Sequence, residues 1–336
     1  MHRTTLAVVV PWLALLAGCQ PDPSQEDSAS SPPEESGYRS EPIQPLVMPT
    51  DLDPDLVVLG GELFHDVRLS VDNTLSCASC HSIADGGDDG RKTSIGVGGA
   101  VGPINAPTVL NSGFNIAQFW NGRAETLEEQ ANGPVTHPGE MGSDWADVLV
   151  KLSEDDTYPA RFARAFDDGL TDLNVRRAIA EYERSLVTVD SPFDRWLGGE
   201  EGALSEEALA GYELFKQYGC IACHQGRNVG GNMYQSFGVM GDYFADRGDI
   251  TEVDAGRFAV TGNEIDRFRF RVPSLRTAAV TAPYFHDGTA STLPDAIRVM
   301  GRYQLGRRLS DSDVSLLEAF LHSLMGDIPS TQRYTP

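Results

Sequence analysis

Cys77, Cys80 and His81 form one C-x-x-C-H motif, and Cys220, Cys223 and His224 form another. Two thiols one helical turn apart can form thioethers to the vinyl groups of a haem, and the next histidine reaches the iron from the proximal side. A single such motif could also be a thiol redox pair, and four cysteines with two histidines could hold zinc. Two motifs that use every cysteine except Cys19 favour two covalent c-type haems, with His81 and His224 as proximal ligands. The group on the other face of each iron then decides the chemistry. A haem ligated on both faces transfers electrons, whereas an open face can bind peroxide. The remaining histidines and methionines are the candidate ligands. His65 and His322 fall within helical patterns and read as packed or capping residues.

Helices must position these motifs. Asp53-Pro54 supplies a cap and a first-turn proline for "DLVVLGGELF", which leads toward the first cysteine pair. Ser205 with Glu206 and Glu207 opens a similar segment, with Leu204, Ala208, Tyr212 and Phe215 at helical spacing, that runs into "GCIACH". Each segment carries "ELF". Each half also closes on a helix, one with the stripe Val175, Ile179, Tyr182 and Leu186, the other with Val314, Leu317, Phe320, Leu321 and Leu324. Their ends match as "YERSL" and "FLHSL". This is the pattern of one small helical module used twice. The expected fold is therefore mainly α: two cytochrome c-type domains, residues 47–199 and 200–336, with long loops rich in Gly and Pro and little β-structure. The chain's 336 residues, 40% apolar, suffice for about two such cores.

The first eighteen residues, with His2 and Arg3 before an apolar run from Leu6 to Leu16, read as a cleaved export signal, since that run is too short to span a bilayer. Its end, "LAGC", resembles the lipobox of bacterial lipoproteins, which makes Cys19 the expected lipidation site and membrane anchor. Residues 19–46, rich in Pro, Ser and acid, are expected to form a flexible tether. A net charge of −23 spread along the chain excludes nucleic acid as a partner and suits solubility or a basic protein patch.

The stretches "SCASCH", "INAPTVLNSGFNIAQFWNGRAETLEEQANGP", "GEMG", "FRVPSLRTAAVTAPYFHDG" and "MGRYQLGR" resemble the bacterial di-haem cytochrome c peroxidases, a family that includes the MauG-type enzymes. The likeness runs from about Leu52 to Met325. It implies peroxide reduction at the N-terminal haem, electron entry through the C-terminal haem, and a homodimer as one assembly state. By position it gives Met300 in "RVMGRYQ" as the distal ligand of the electron-transfer haem, where MauG-type enzymes have tyrosine. Glu140 in "GEMG" matches the distal-pocket carboxylate, Gln130 in "LEEQ" the amide beside it, and Trp120 in "FWNGR" the tryptophan between the haems. Asn105, Thr281 and Pro283 match an inter-domain calcium site. Within the same pattern, His286 and Arg123 are expected to be structural or near-haem residues, and Met141 to pack beside Glu140.

One position departs from that pattern. Val97, sixteen residues after His81, stands where many relatives carry a histidine that closes the peroxidatic haem. Valine cannot bind iron, so the N-terminal haem is expected to be five-coordinate or water-bound; His137, three residues before Glu140, is the alternative ligand. The expected activity is reduction of hydrogen peroxide with electrons from a small cytochrome c or a cupredoxin. The alternatives are a MauG-like enzyme that oxidises a protein partner through Trp120 and a non-enzymatic electron-transfer cytochrome.

Overall fold

A computed structural model of the chain describes Met1 and residues 37–329. Cys19, the export signal and most of the expected tether lie outside the described residues. From Tyr38 onward the chain forms one compact unit. Its α-helices are α1 (Pro54–Phe64), α2 (Leu127–Thr136), α3 (Trp145–Ser153), α4 (Tyr158–Ala165), α5 (Asp172–Ser185), α6 (Pro192–Leu197), α7 (Glu206–Gln217), α8 (Tyr243–Arg247), α9 (Phe258–Thr261), α10 (Leu293–Tyr303) and α11 (Asp311–Ser323). The two strands, β1 (Tyr234–Ser236) and β2 (Arg269–Arg271), pair antiparallel with Gln235 opposite Phe270.

Local chemistry starts the helices that matter. Asp53 accepts from the Asp55 and Leu56 N–H groups at 2.9 and 3.3 Å, with Pro54 just inside α1. Thr171, Ser205 and Ser310 cap α5, α7 and α11 through the N–H groups of Asn174, Ala208 and Asp313. Each cap satisfies a donor that has no partner inside the helix.

The repeat is visible in the packing. α1 lies on α5, and α7 lies on α11. A Cβ on Gly60 would fall 1.8 Å from the Ala178 carbonyl oxygen and 2.9 Å from the Tyr182 Cβ; one on Gly211 would fall 1.9 Å from the Leu316 oxygen and 3.0 Å from the Phe320 Cβ. Both glycines stand two residues before the glutamate of "ELF", and both face the matching residue of "YERSL" or "FLHSL". Phe64 meets Tyr182 at 5.2 Å between ring centroids, as Phe215 meets Phe320 at 5.0 Å. Gly211→Ala would set a methyl group against backbone that has nowhere to move. We expect it, like Gly60→Ala, to destabilise the holoprotein by about 3 kcal/mol in a denaturant titration.

Two cores follow from the two pairs. Leu63, Phe64, Val148, Phe162, Val175 and Ile179 belong to one; Phe193, Tyr212, Val314, Leu317 and Phe320 belong to the other. A third cluster of Tyr243, Phe244, Phe270 and Tyr303 packs Trp120 at its edge. Two features differ from the sequence reading. Ile43 and Leu46, within the expected tether, are buried, and Ile43 joins the second core beside Gly226. α6, expected in the first half, also sends Phe193 and Leu197 into the second core. Both were hidden by composition: two isolated apolar residues in a polar run, and a short helix just before the glycine-rich "LGGEEGAL".

Candidate haem centres

In the first motif a 3₁₀ turn at Cys77–Ser79 is closed by Ser76 and Ser79, and the His81 N–H donates to the Cys77 carbonyl at 3.0 Å. His81 Nδ1 lies 3.1 Å from the Gly87 carbonyl oxygen. A carbonyl only accepts, so Nδ1 carries the proton and Nε2 is left for a metal. Burial pushes the pKa of His81 down, which favours the neutral ring that coordinates. It pushes the Cys77 thiol up, with Glu183 adding to the effect, and the Cys80 thiol up as well. Such thiols are poor thiolates, which does not suit a redox pair. Cys77 packs against the first core and Cys220 against the second. Among the described residues no cysteine belongs to a group of three or more His, Cys, Asp or Glu side chains close enough to share a metal ion.

The glycine-rich stretch after this motif is an ordered hairpin. Ile95 bridges Val101, and Gly96 N–H donates to the Ala100 carbonyl at 2.7 Å. It lies directly on the "GEMG" loop: Val97 N–H donates to the Glu140 carbonyl at 2.8 Å. A Cβ on Gly96 would meet the Gly139 oxygen at 2.0 Å, so only glycine allows this approach. The structure thus brings Val97 and Glu140 together. The Glu140 carboxylate is partly exposed and within electrostatic reach of Cys80 and Arg123. Arg123 stacks over the Phe119 ring at 3.3 Å, and Met141 is buried in the first core. Gln130 is half-buried in α2 and shares no hydrogen bond with Glu140 among the described residues. His137 is exposed, with Nδ1 accepting from the Gly139 N–H at 3.2 Å and lying 3.6 Å from the Glu140 carboxylate.

The second motif repeats the first. His224 N–H donates to the Cys220 carbonyl at 3.0 Å, and Nδ1 lies 3.3 Å from the Val229 carbonyl oxygen, again leaving Nε2 free. Burial pushes His224 down to about 4. Gly230 is required beside it, since a Cβ there would sit 2.2 Å from the Pro273 oxygen. Cys220, Cys223, His224 and Met300 line one cavity of about 390 Å³ whose walls include Phe215, Leu293, Ile297 and Leu317. Two cysteines, a free imidazole nitrogen and a thioether around an apolar space suit a covalent haem with His/Met ligation.

Trp120, Asn105, Thr281 and Pro283 line the same cavity. The Trp120 indole N–H donates to the Asn105 carbonyl at 2.9 Å. The Asn105 side-chain NH₂ donates to the Arg91 carbonyl at 2.8 Å, and no donor meets its Oδ1 among the described residues. Neither the Thr281 nor the Pro283 carbonyl accepts a hydrogen bond among the described residues. Three uncommitted oxygens fit calcium. His65 Nδ1 donates to the Gly61 carbonyl at the end of α1, and His322 is exposed on α11.

Sequence reasoning missed three buried charged residues here. Asp254 holds His286 Nε2 at 2.7 Å and pairs with Arg247, which also pairs with Asp287. The resulting tight cluster of Asp254, His286 and Asp287 already has its countercharge. His286 stands edge-on to Trp120, with centroids 6.4 Å apart. Arg271 is 4% exposed, and burial lowers its pKa to about 10. Asp88 is 2% exposed and also lines the cavity; burial, with Asp89 adding to it, pushes its carboxyl up to about 7. Asp254 and Asp88 sit in no motif, whereas Arg271 stands at the start of "FRVPSLRTAAVTAPYFHDG" and His286 near its end.

The profile of the family described as di-haem cytochrome c peroxidase matches residues 54–202. The chain is 50% identical over 290 residues to cytochrome c peroxidase Ccp of Escherichia coli, covering 86% of this chain and 62% of that protein. It is 47% identical over 291 residues to the cytochrome c551 peroxidase of Nitrosomonas europaea, covering 86% of each. A solved MauG-like protein associated with microbial copper homeostasis superposes with a TM-score of 0.75 at 30% identity, over 87% of this chain and 96% of that one.

Proposed function

This chain belongs to the di-haem cytochrome c peroxidase family, and we propose that it reduces hydrogen peroxide to two waters with electrons from a small exported cytochrome c or cupredoxin. One observation carries the reading: Met300 lines the same cavity as His224, where a thioether keeps the second haem easy to reduce and hard to oxidise beyond the ferric state. The two haems, held by Cys77, Cys80 and His81 and by Cys220, Cys223, His224 and Met300, supply the electrons and the metal that receives peroxide. The rest is done by the chain. The Gly87 carbonyl fixes the ring of His81. Glu140 takes the proton from one peroxide oxygen and delivers it to the departing one. Two electrons from the donor protein and two protons from solvent complete two waters. Val97, beside Glu140, offers no iron ligand, so a haem held by His81 would have no ligand from this hairpin to release before peroxide could bind. Trp120, bonded to Asn105 at the wall of the second cavity, is the relay between haems.

Several parts of the reading rest on sequence. Cytochrome c domains divided near residue 199, calcium held by Asn105, Thr281 and Pro283, Gln130 as partner of Glu140, and periplasmic anchoring through Cys19 belong to it. Among the described residues no helix is long and apolar enough to cross a membrane. Val97 also favours a second reading, a MauG-like oxidation of a protein partner, which Met300 opposes.

Steady-state turnover with hydrogen peroxide and a reduced small cytochrome separates the readings, since only the peroxidase sustains it. The electron paramagnetic resonance spectrum of the fully oxidised protein tests the open haem. We expect one high-spin and one low-spin signal; two low-spin signals would mean that His137 or another group closes the first iron.

A further inference from the structure

We propose that Asp88 supplies the negative charge of a calcium site whose other oxygens come from Asn105, Thr281 and Pro283. The proposal rests on the calcium reading above and adds to it the residue that sets affinity. A carboxylate that is 2% exposed bears a cost of leaving water that hydrogen bonds, a cation or a proton must offset. Among the described residues Asp88 forms no salt bridge, and its side chain is supported there only by main-chain N–H groups of its own turn, including that of Gly90. Its nearest charged neighbours, Asp89 and Asp85, are both acidic.

The surroundings explain what the missing countercharge would be. The turn that carries Asp88 is wedged against the chain around Thr281: a Cβ on Gly86 would lie 3.2 Å from the Thr281 side chain and 3.0 Å from that of Val280. Asp88, Asn105, Thr281 and Pro283 line one cavity. Asn105 Oδ1 and the two carbonyls have no competing donor. Those three oxygens are neutral, and neutral oxygens alone hold a divalent cation weakly; affinity in calcium sites rises with the number of charged ligands. The contrast with Asp254 is instructive. That buried carboxylate is met by Arg247, Thr251 and His286. Among the described residues Asp88 has no such partner, and its cavity also presents the oxygens that a hard cation needs.

The test is calorimetric titration of Ca²⁺ into chelator-treated di-haem protein, with Asp88→Asn and Asn105→Ala compared against wild type. We expect both variants to weaken binding by about tenfold or more. A second readout covers a variant too weak to titrate. Calcium raises the melting temperature of a protein that binds it only when folded, so the rise seen for wild type should shrink in Asp88→Asn. If Asp88→Asn keeps the wild-type affinity and melting shift while Asn105→Ala loses them, Asp88 is not part of the site and calcium stands. If wild type takes up no calcium, the calcium reading fails and this proposal falls with it.

Discussion

Glu140→Gln is expected to lower the turnover number with hydrogen peroxide by about 10²- to 10⁴-fold, the range that a positioned proton carrier contributes. Glutamine keeps the shape and loses the exchangeable proton. Heterolysis leaves one peroxide oxygen as water, which requires a proton to move about one atom's width at the moment the bond breaks. The "GEMG" loop is placed for this by the hairpin above it, through the Val97 N–H and the close approach at Gly96. The carboxylate is partly exposed, so its replacement removes no packing, and stability should stay within about 0.5 kcal/mol of wild type. The loss should therefore fall on kcat, with both haems still attached and the oxidised spectrum of the second centre unchanged. Asp in place of Glu retains the proton but shortens the reach, and should recover part of the rate. Full activity in Glu140→Gln would assign the proton to another group, with His137, 3.6 Å from the carboxylate, first in line.

The mainly helical fold was legible because its signals are local. Asp53 and Ser205 cap helices where the sequence places them, and the stripes ending in "YERSL" and "FLHSL" are the buried faces of α5 and α11. The attachment motifs were legible for the same reason. What the sequence did not disclose depends on chain separation. Asp254 and His286 lie 32 residues apart with no shared motif. Asp88 reads as one more acid in a chain with 49 of them, and only burial distinguishes it. Ile43 and α6 crossed the expected boundaries because packing, rather than composition, decides which core receives an isolated apolar side chain. The fine structure of the site is a matter of which distant loops meet, such as the hairpin at Val97 on the loop at Glu140.

Met300→Tyr should lower the reduction potential of the second haem by roughly 0.2 V, well inside the roughly 0.8 V over which axial ligands set haem potentials. At roughly 59 mV per tenfold, that displaces the equilibrium with any given donor by more than about 10³-fold toward the oxidised centre. Turnover driven by a reduced small cytochrome should collapse accordingly. Met300 lies in α10, capped by Thr292 through the Asp295 N–H at 3.2 Å, so the exchange happens on a fixed scaffold. A potentiometric titration of the two centres resolves the effect, because only the one bound by His224 should move. Two outcomes are informative beyond the peroxidase itself. An unchanged potential would mean that Met300 lines the cavity without binding iron. A variant that loses turnover with the cytochrome but gains peroxide-dependent oxidation of a protein partner would show that one side chain separates the two chemistries.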